Sequence, residues 1–103
     1  MNQWLGFYKT GIQQAREALE IYEQIGDTAN QAHSLNTLAS VLCYNNQLDA
    51  AEIAAFRTIN LAPGEDHGLV VCKSHRLLGD IYQYKGRKEK AIHHYDTTIS
   101  IVL

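Results

Sequence analysis

Apolar residues recur at spacings of three and four along most of the chain. Leu35, Leu38 and Leu42 share one face of a helix, and Ala51, Ala55, Thr58 and Ile59 share another. Between them Asn45-Asn46-Gln47 forms a short polar turn, and Lys85-Gly86-Arg87 is its later counterpart. Asn or Gly at such a place suits a left-handed residue closing a helix. Two further breaks are predicted. One is Gly26-Asp27, after a helix running through Tyr22 to Ile25; the other is Pro63-Gly64, after Leu61-Ala62. Thr28 with Gln31 predicts a capping box for the helix that follows, and Asp66 a cap for the next. A turn at Gly6 leaves only residues 1–5 of any earlier helix. The pattern therefore predicts five helices and no strand.

The same pattern returns after 40 residues without a gap. Gly11, Ala51 and Ala91 align; so do Ala15, Ala55 and Tyr95, and Leu19, Ile59 and Ile99. In the other half of the unit Leu38 falls on Leu78, Ala39 on Gly79, Val41 on Ile81, Leu42 on Tyr82 and Asn46 on Gly86. Identities are few, but small residues fall on small and large apolar on large apolar. A packing constraint of that kind marks a repeat architecture. Ala39/Gly79 and Ala51/Ala91 are predicted where antiparallel helices cross closest, because a larger side chain would push the axes apart. Leu42/Tyr82 and Ala55/Tyr95 then fill the flanks. In the middle unit the bulk sits one position along, at Phe56, which predicts different local packing.

These residues carry a resemblance. Leu78-Gly79-Asp80-Ile81-Tyr82, then Gly86, Ala91, Tyr95 and Thr98-Ile99, resembles a tetratricopeptide repeat, whose signature is Leu-Gly-x-x-Tyr, Gly, Ala, an aromatic and Ala-Leu/Ile. Leu38-Ala39, Leu42, Asn46, Ala51, Ile59 and Pro63 form a looser second copy. The resemblance covers residues 4–103. The basic repeat is ~34 residues long; the longer unit here is similar to the kinesin-light-chain-like variety, which also occurs as sensor arrays in multidomain signalling ATPases, including fungal immune-type receptors. The resemblance implies an all-α helical-hairpin solenoid. Residues 1–26 would be a half repeat with its second helix only, and 27–64 and 65–103 two full repeats of a longer array.

Composition narrows the functional classes. The chain has 103 residues and a net charge of −2, so no electrostatic footprint for nucleic acid or an anionic membrane is present in the totals. Lys85, Arg87, Lys88 and Lys90 form one small basic turn, read as a solvated loop that starts a helix. No apolar run approaches the ~20 residues of a membrane span, and residues 1–8 lack the pattern of a signal peptide. With two cysteines, Cys43 and Cys72, a disulfide scaffold is excluded. Free thiols and an intracellular, cytoplasmic setting are expected.

No catalytic motif is present, so the chain is not expected to be an enzyme, and no cofactor is implied. Gly64-Glu65-Asp66-His67-Gly68 reads as a loop between repeats. His93 and His94 are adjacent and point ~100° apart on a helix, so they do not chelate one ion together. No metal site is expected. His75 lies on the apolar stripe with Leu78 and Tyr82 and reads as a hydrogen-bonded structural histidine.

The expected function is non-catalytic protein binding, as a scaffold or sensor segment of a larger signalling protein. In stacked hairpins the first helices line a concave face. The positions opposite their packing stripe are His33, Asn36, Thr37, Ser40 and Tyr44 in one unit and Lys73, Arg76, Asp80, Gln83 and Tyr84 in the next. Tyr44 and Tyr84 are repeat equivalents and predict an aromatic ladder. Lys73 and Arg76, three apart, share a face suited to an acidic peptide or a carboxylate. Chaperone-binding members of the family use a basic clamp of this kind, which this chain resembles only in part. The alternative function is self-association, giving a homodimer, through ends that a neighbouring repeat would cover: Trp4, Phe7 and Tyr8 at one, Ile92, Ile99 and Val102 at the other.

Overall fold

The periodicity resolves into five helices in the computed structural model: α1 (Gln3–Ile25), α2 (Thr28–Tyr44), α3 (Leu48–Leu61), α4 (Gly68–Tyr84) and α5 (Lys88–Val102). The structure describes the backbone over 3–61 and 68–102 and side chains over 7–61 and 68–101. No strand occurs among the described residues. Trp4, Val102, Pro63 and the expected cap at Asp66 lie outside the residues whose side chains are described.

Three helix ends use the same device. Gly26, Asn46 and Gly86 all have positive φ, at 73°, 62° and 78°. At each, the next amide reaches back five residues: Asp27 N to Tyr22 O (3.0 Å), Gln47 N to Leu42 O (2.8 Å) and Arg87 N to Tyr82 O (2.8 Å). This pairing satisfies carbonyls that the helix end would otherwise leave unpaired. The turns at Asn46 and Gly86 are those the sequence predicts.

Two local expectations are corrected. No turn occurs at Gly6, which lies inside the unbroken α1. The cap of α2 is Asp27, not Thr28: its carboxylate accepts the Asn30 amide at 3.1 Å, and Thr28 is already helical. A carboxylate satisfies the free amides and also favours the positive end of the helix dipole. Gln31, the expected partner of Thr28, donates instead to Tyr22 O at the end of α1 (3.2 Å).

Each helix packs on its chain neighbours, and α2 also touches α4 directly, with α3 against both. The extents are 38 × 34 × 18 Å, so the molecule is a slab about two helices thick. The core runs through Leu38, Ala39 and Leu42 of α2, Ala51 and Ala55 of α3, Leu78 and Ile81 of α4 and Ala91 of α5. A smaller cluster of Ala32, Leu61 and Val70 ties α2, α3 and α4 together. Ala39, Ala51 and Ala55 are fully buried, as close crossing requires. Gly79 does more than allow close helices: the Tyr95 ring occupies the space that a side chain there would need.

Candidate functional site

The direct α2–α4 contact leaves a groove on one face of the slab. It is a cleft of about 260 Å³ lined by Asn36, Ser40 and Tyr44 of α2 and Lys73, Arg76, Leu77 and Asp80 of α4. Residues four apart on α2, and three or four apart on α4, present one stripe each. The floor is pinned. Asn36 Nδ2 donates to the fully buried Ser74 Oγ at 3.1 Å, joining the two helices, and Ser40 Oγ donates to Asn36 O at 3.1 Å.

Asp80 is held from behind. The Tyr95 hydroxyl, projecting from α5 past Gly79, donates to Asp80 Oδ1 at 2.5 Å. Gln83 lies 3.0 Å from the same hydroxyl. A phenol has one proton; it serves the shorter contact to Asp80, and Gln83 Oε1 is the more distant acceptor. Burial, then the Asp80 hydrogen bond and charge, push the Tyr95 pKa up to about 12. The phenol therefore stays a donor across the physiological range. Among the described residues the ion pairs are those of Lys85, so Lys73 and Arg76 face the groove with no carboxylate within ion-pair distance.

Six of the ten expected groove residues thus share one cleft. His33 and Thr37 line a neighbouring one of about 350 Å³ between α1 and α2, with Gln14 and Tyr22. Gln83 and Tyr84 are exposed beyond Asp80. Among the described residues no ring contact joins Tyr44 to Tyr84, so there is no aromatic ladder; the ring contacts gather around His94. Both tyrosines project into solvent at the helix ends. A larger cleft of about 490 Å³, absent from the sequence reading, runs along α1 past Lys9, Arg16 and Glu20 to Asn45 and Gln47. Its charges are two cations, Lys9 and Arg16, followed by two carboxylates, Glu17 and Glu20, and they carry no motif.

His75 is the hydrogen-bonded histidine that its place on the apolar stripe predicts. Its partner is the buried His94, Nδ1 to Nδ1 at 3.0 Å. Their centroids are 5.2 Å apart, close to that contact plus the two ring radii, so the nitrogens meet nearly head-on. One imidazole donates and the other accepts; lone pairs aligned this way do not converge on a third point where an ion would sit. Tyr82 stacks on His94 at 5.4 Å and Phe56 meets it edge-on at 6.0 Å. Burial, then the charge of His93, holds His75 below the usual imidazole range; burial, then His75 and His93, does the same to His94. Among the described residues no group of three His, Cys, Asp or Glu is arranged for a metal ion.

The remaining expectations resolve simply. Cys43 and Cys72 are free, and burial, then Asp80's charge, raises the Cys43 pKa. The basic turn is not merely solvated. Lys85 pairs with Asp49 and, at 3.4 Å, with Glu52, bridging α4 to α3; Lys90 Nζ sits 5.3 Å over the Tyr82 ring. Phe7, Ile92 and Ile99 are more than half exposed and Tyr8 is half-buried. Among the described residues no helix is long and apolar enough to cross a membrane.

No protein-family model, curated protein or solved structure matches the chain.

Proposed function

We propose that the chain is a tetratricopeptide-like helical-hairpin module that binds a partner polypeptide in the α2–α4 groove and performs no catalysis. The observation that carries this reading is the groove itself. Two helices 40 residues apart in register are joined by the Asn36–Ser74 bond, and between them polar and cationic side chains line one open cleft. An extended segment laid there meets acceptors at Asn36 and Ser40, cations at Lys73 and Arg76, and an aromatic edge at Tyr44. Recognition by such a surface needs no cofactor. The setting that fits two free thiols is a reducing, cytoplasmic one. The role is that of a scaffold or sensor segment within a larger signalling protein.

The test is panning of a random dodecapeptide library on the immobilised chain and on a Lys73→Glu/Arg76→Glu variant. Both positions are exposed, so the variant keeps its helicity. Peptides retained by the parent and lost by the variant are expected; equal retention by both would overturn the reading.

A second reading, self-association through the outer face of α5, is favoured by one comparison. Thr58 is fully buried and Ile59 and Leu61 half-buried where α4 covers α3. Their equivalents Thr98, Ile99 and Ile101 are less covered, Ile99 being 52% and Ile101 40% exposed. A second copy laid over this face would bury them as α4 buries their counterparts.

A further inference from the structure

The groove's charges are ordered along α4, and that order specifies more than an acidic ligand. Lys73 and Arg76 lie one turn apart and Asp80 one turn beyond Arg76. Asp80 is not neutralised by Arg76. Its Oδ1 accepts the hydrogen bond of the Tyr95 hydroxyl, while the ion pairs among the described residues are those of Lys85. A carboxylate accepts about four hydrogen bonds, and Tyr95 supplies one, so the half-buried Asp80 keeps acceptor capacity facing the cleft it lines. We infer, resting on the groove reading above, that the site selects an extended peptide carrying an acidic and a basic side chain two residues apart, the acidic one on Lys73 and Arg76 and the basic one on Asp80.

The spacing follows from two rises. Four residues of α-helix advance ~6 Å, which separates Arg76 from Asp80. Residues i and i+2 of an extended chain point the same way and lie ~6.6 Å apart. A pair with this spacing meets both charges without bending the backbone. Two like charges at that spacing place one against its own sign. Tyr95 acts as a positioning residue: it fixes the Asp80 carboxylate in one orientation and touches no ligand.

The dodecapeptides recovered from panning test this directly. Parent-selected sequences are expected to be enriched in acidic–x–basic or basic–x–acidic triplets. Asp80→Asn, which keeps the shape and removes the charge, should lower the preference for the basic member about two- to fivefold, the range of partly exposed ion pairs. It should leave the acidic preference intact. Tyr95→Phe keeps the ring over Gly79 and removes only the hydroxyl; it should weaken the same preference with unchanged helicity. A merely structural role for Tyr95 would alter retention of all peptides alike. Recovery of peptides that depend on Lys73 and Arg76 but lack the charge pair would overturn this inference and leave the groove reading standing. Recovery of no peptide above the bare support would overturn both.

Discussion

The Tyr95 ring stands where a side chain at position 79 would be: a Cβ built on Gly79 falls 2.6 Å from Cδ1 and 2.8 Å from Cζ of that ring. In the preceding repeat the equivalent pair is Ala39 and Ala55, both fully buried. One unit fills the crossing with two methyl groups and the other with nothing opposite a phenol. The second solution carries a hydroxyl through to the groove, where it meets Asp80.

Gly79→Ala should therefore destabilise the protein by about 1–3 kcal/mol, the range of overpacking, even though alanine is the better helix former by ~1 kcal/mol. Urea denaturation measures this as a lower midpoint. Adding Tyr95→Leu should recover part of the loss, because the ring that collides with the new methyl is gone. Additive losses would contradict the packing account.

The positive φ at Gly86 and Asn46 predicts opposite outcomes at equivalent positions. Gly86→Ala forces a side chain into the left-handed region and should cost ~1–2 kcal/mol. Asn46→Gly relieves it and should be neutral or slightly stabilising. Thermal melts of the two variants, compared with the parent, separate these.

Acid should loosen the α4–α5 contact. His75 and His94 are both held below the ordinary imidazole range, so the unfolded chain binds more protons than the folded one. Stability is complete above about pH 6.5, the unfolded value, and falls as pH drops through it toward the lower folded values. The head-on pair accepts a first proton at the outer nitrogen of the donor ring without breaking. A second proton places two N–H groups face to face. The pair is thus expected to titrate in two separated steps, within a surround of His93 and Lys90 on α5, Tyr82 on α4 and Glu52 on α3. Melting temperatures from pH 8 to pH 5 should decline for the parent. They should decline less for a His75→Leu/His94→Phe variant.

Ile99→Asp places a charge at the centre of the exposed α5 stripe. If two copies meet there, the mass from light scattering after size exclusion should drop from dimer to 11.6 kDa at all concentrations. The fold should be retained, since Ile99 is 52% exposed.

Much of the fold is legible in the sequence because repetition doubles every signal. The turns at Asn46 and Gly86 and the buried small residues each appear twice, at a fixed offset, and the structure places them as the pattern predicts. What is not legible depends on contacts between helices. Nothing local at His94 marks it as the partner of His75; only the α4–α5 crossing brings their nitrogens to 3.0 Å. Lys85 reads as one more exposed cation until α3 delivers Asp49 and Glu52. The choice of Asp27 over Thr28 as cap turns on one residue of helix phase, which periodicity does not resolve. At the groove, residue type and face predict the lining. The role of Tyr95 is hidden because its hydroxyl reaches the groove from α5, whereas the sequence reading draws the groove from α2 and α4 alone.

The most direct measurement is an amide chemical-shift map of the labelled protein titrated with one panned dodecapeptide. The account predicts saturable shifts centred on Asn36, Ser40, Tyr44, Lys73, Arg76 and Asp80, with the α5 residues Ile92 and Ile99 unmoved. Shifts confined to α5, or none along α2 and α4, would contradict it.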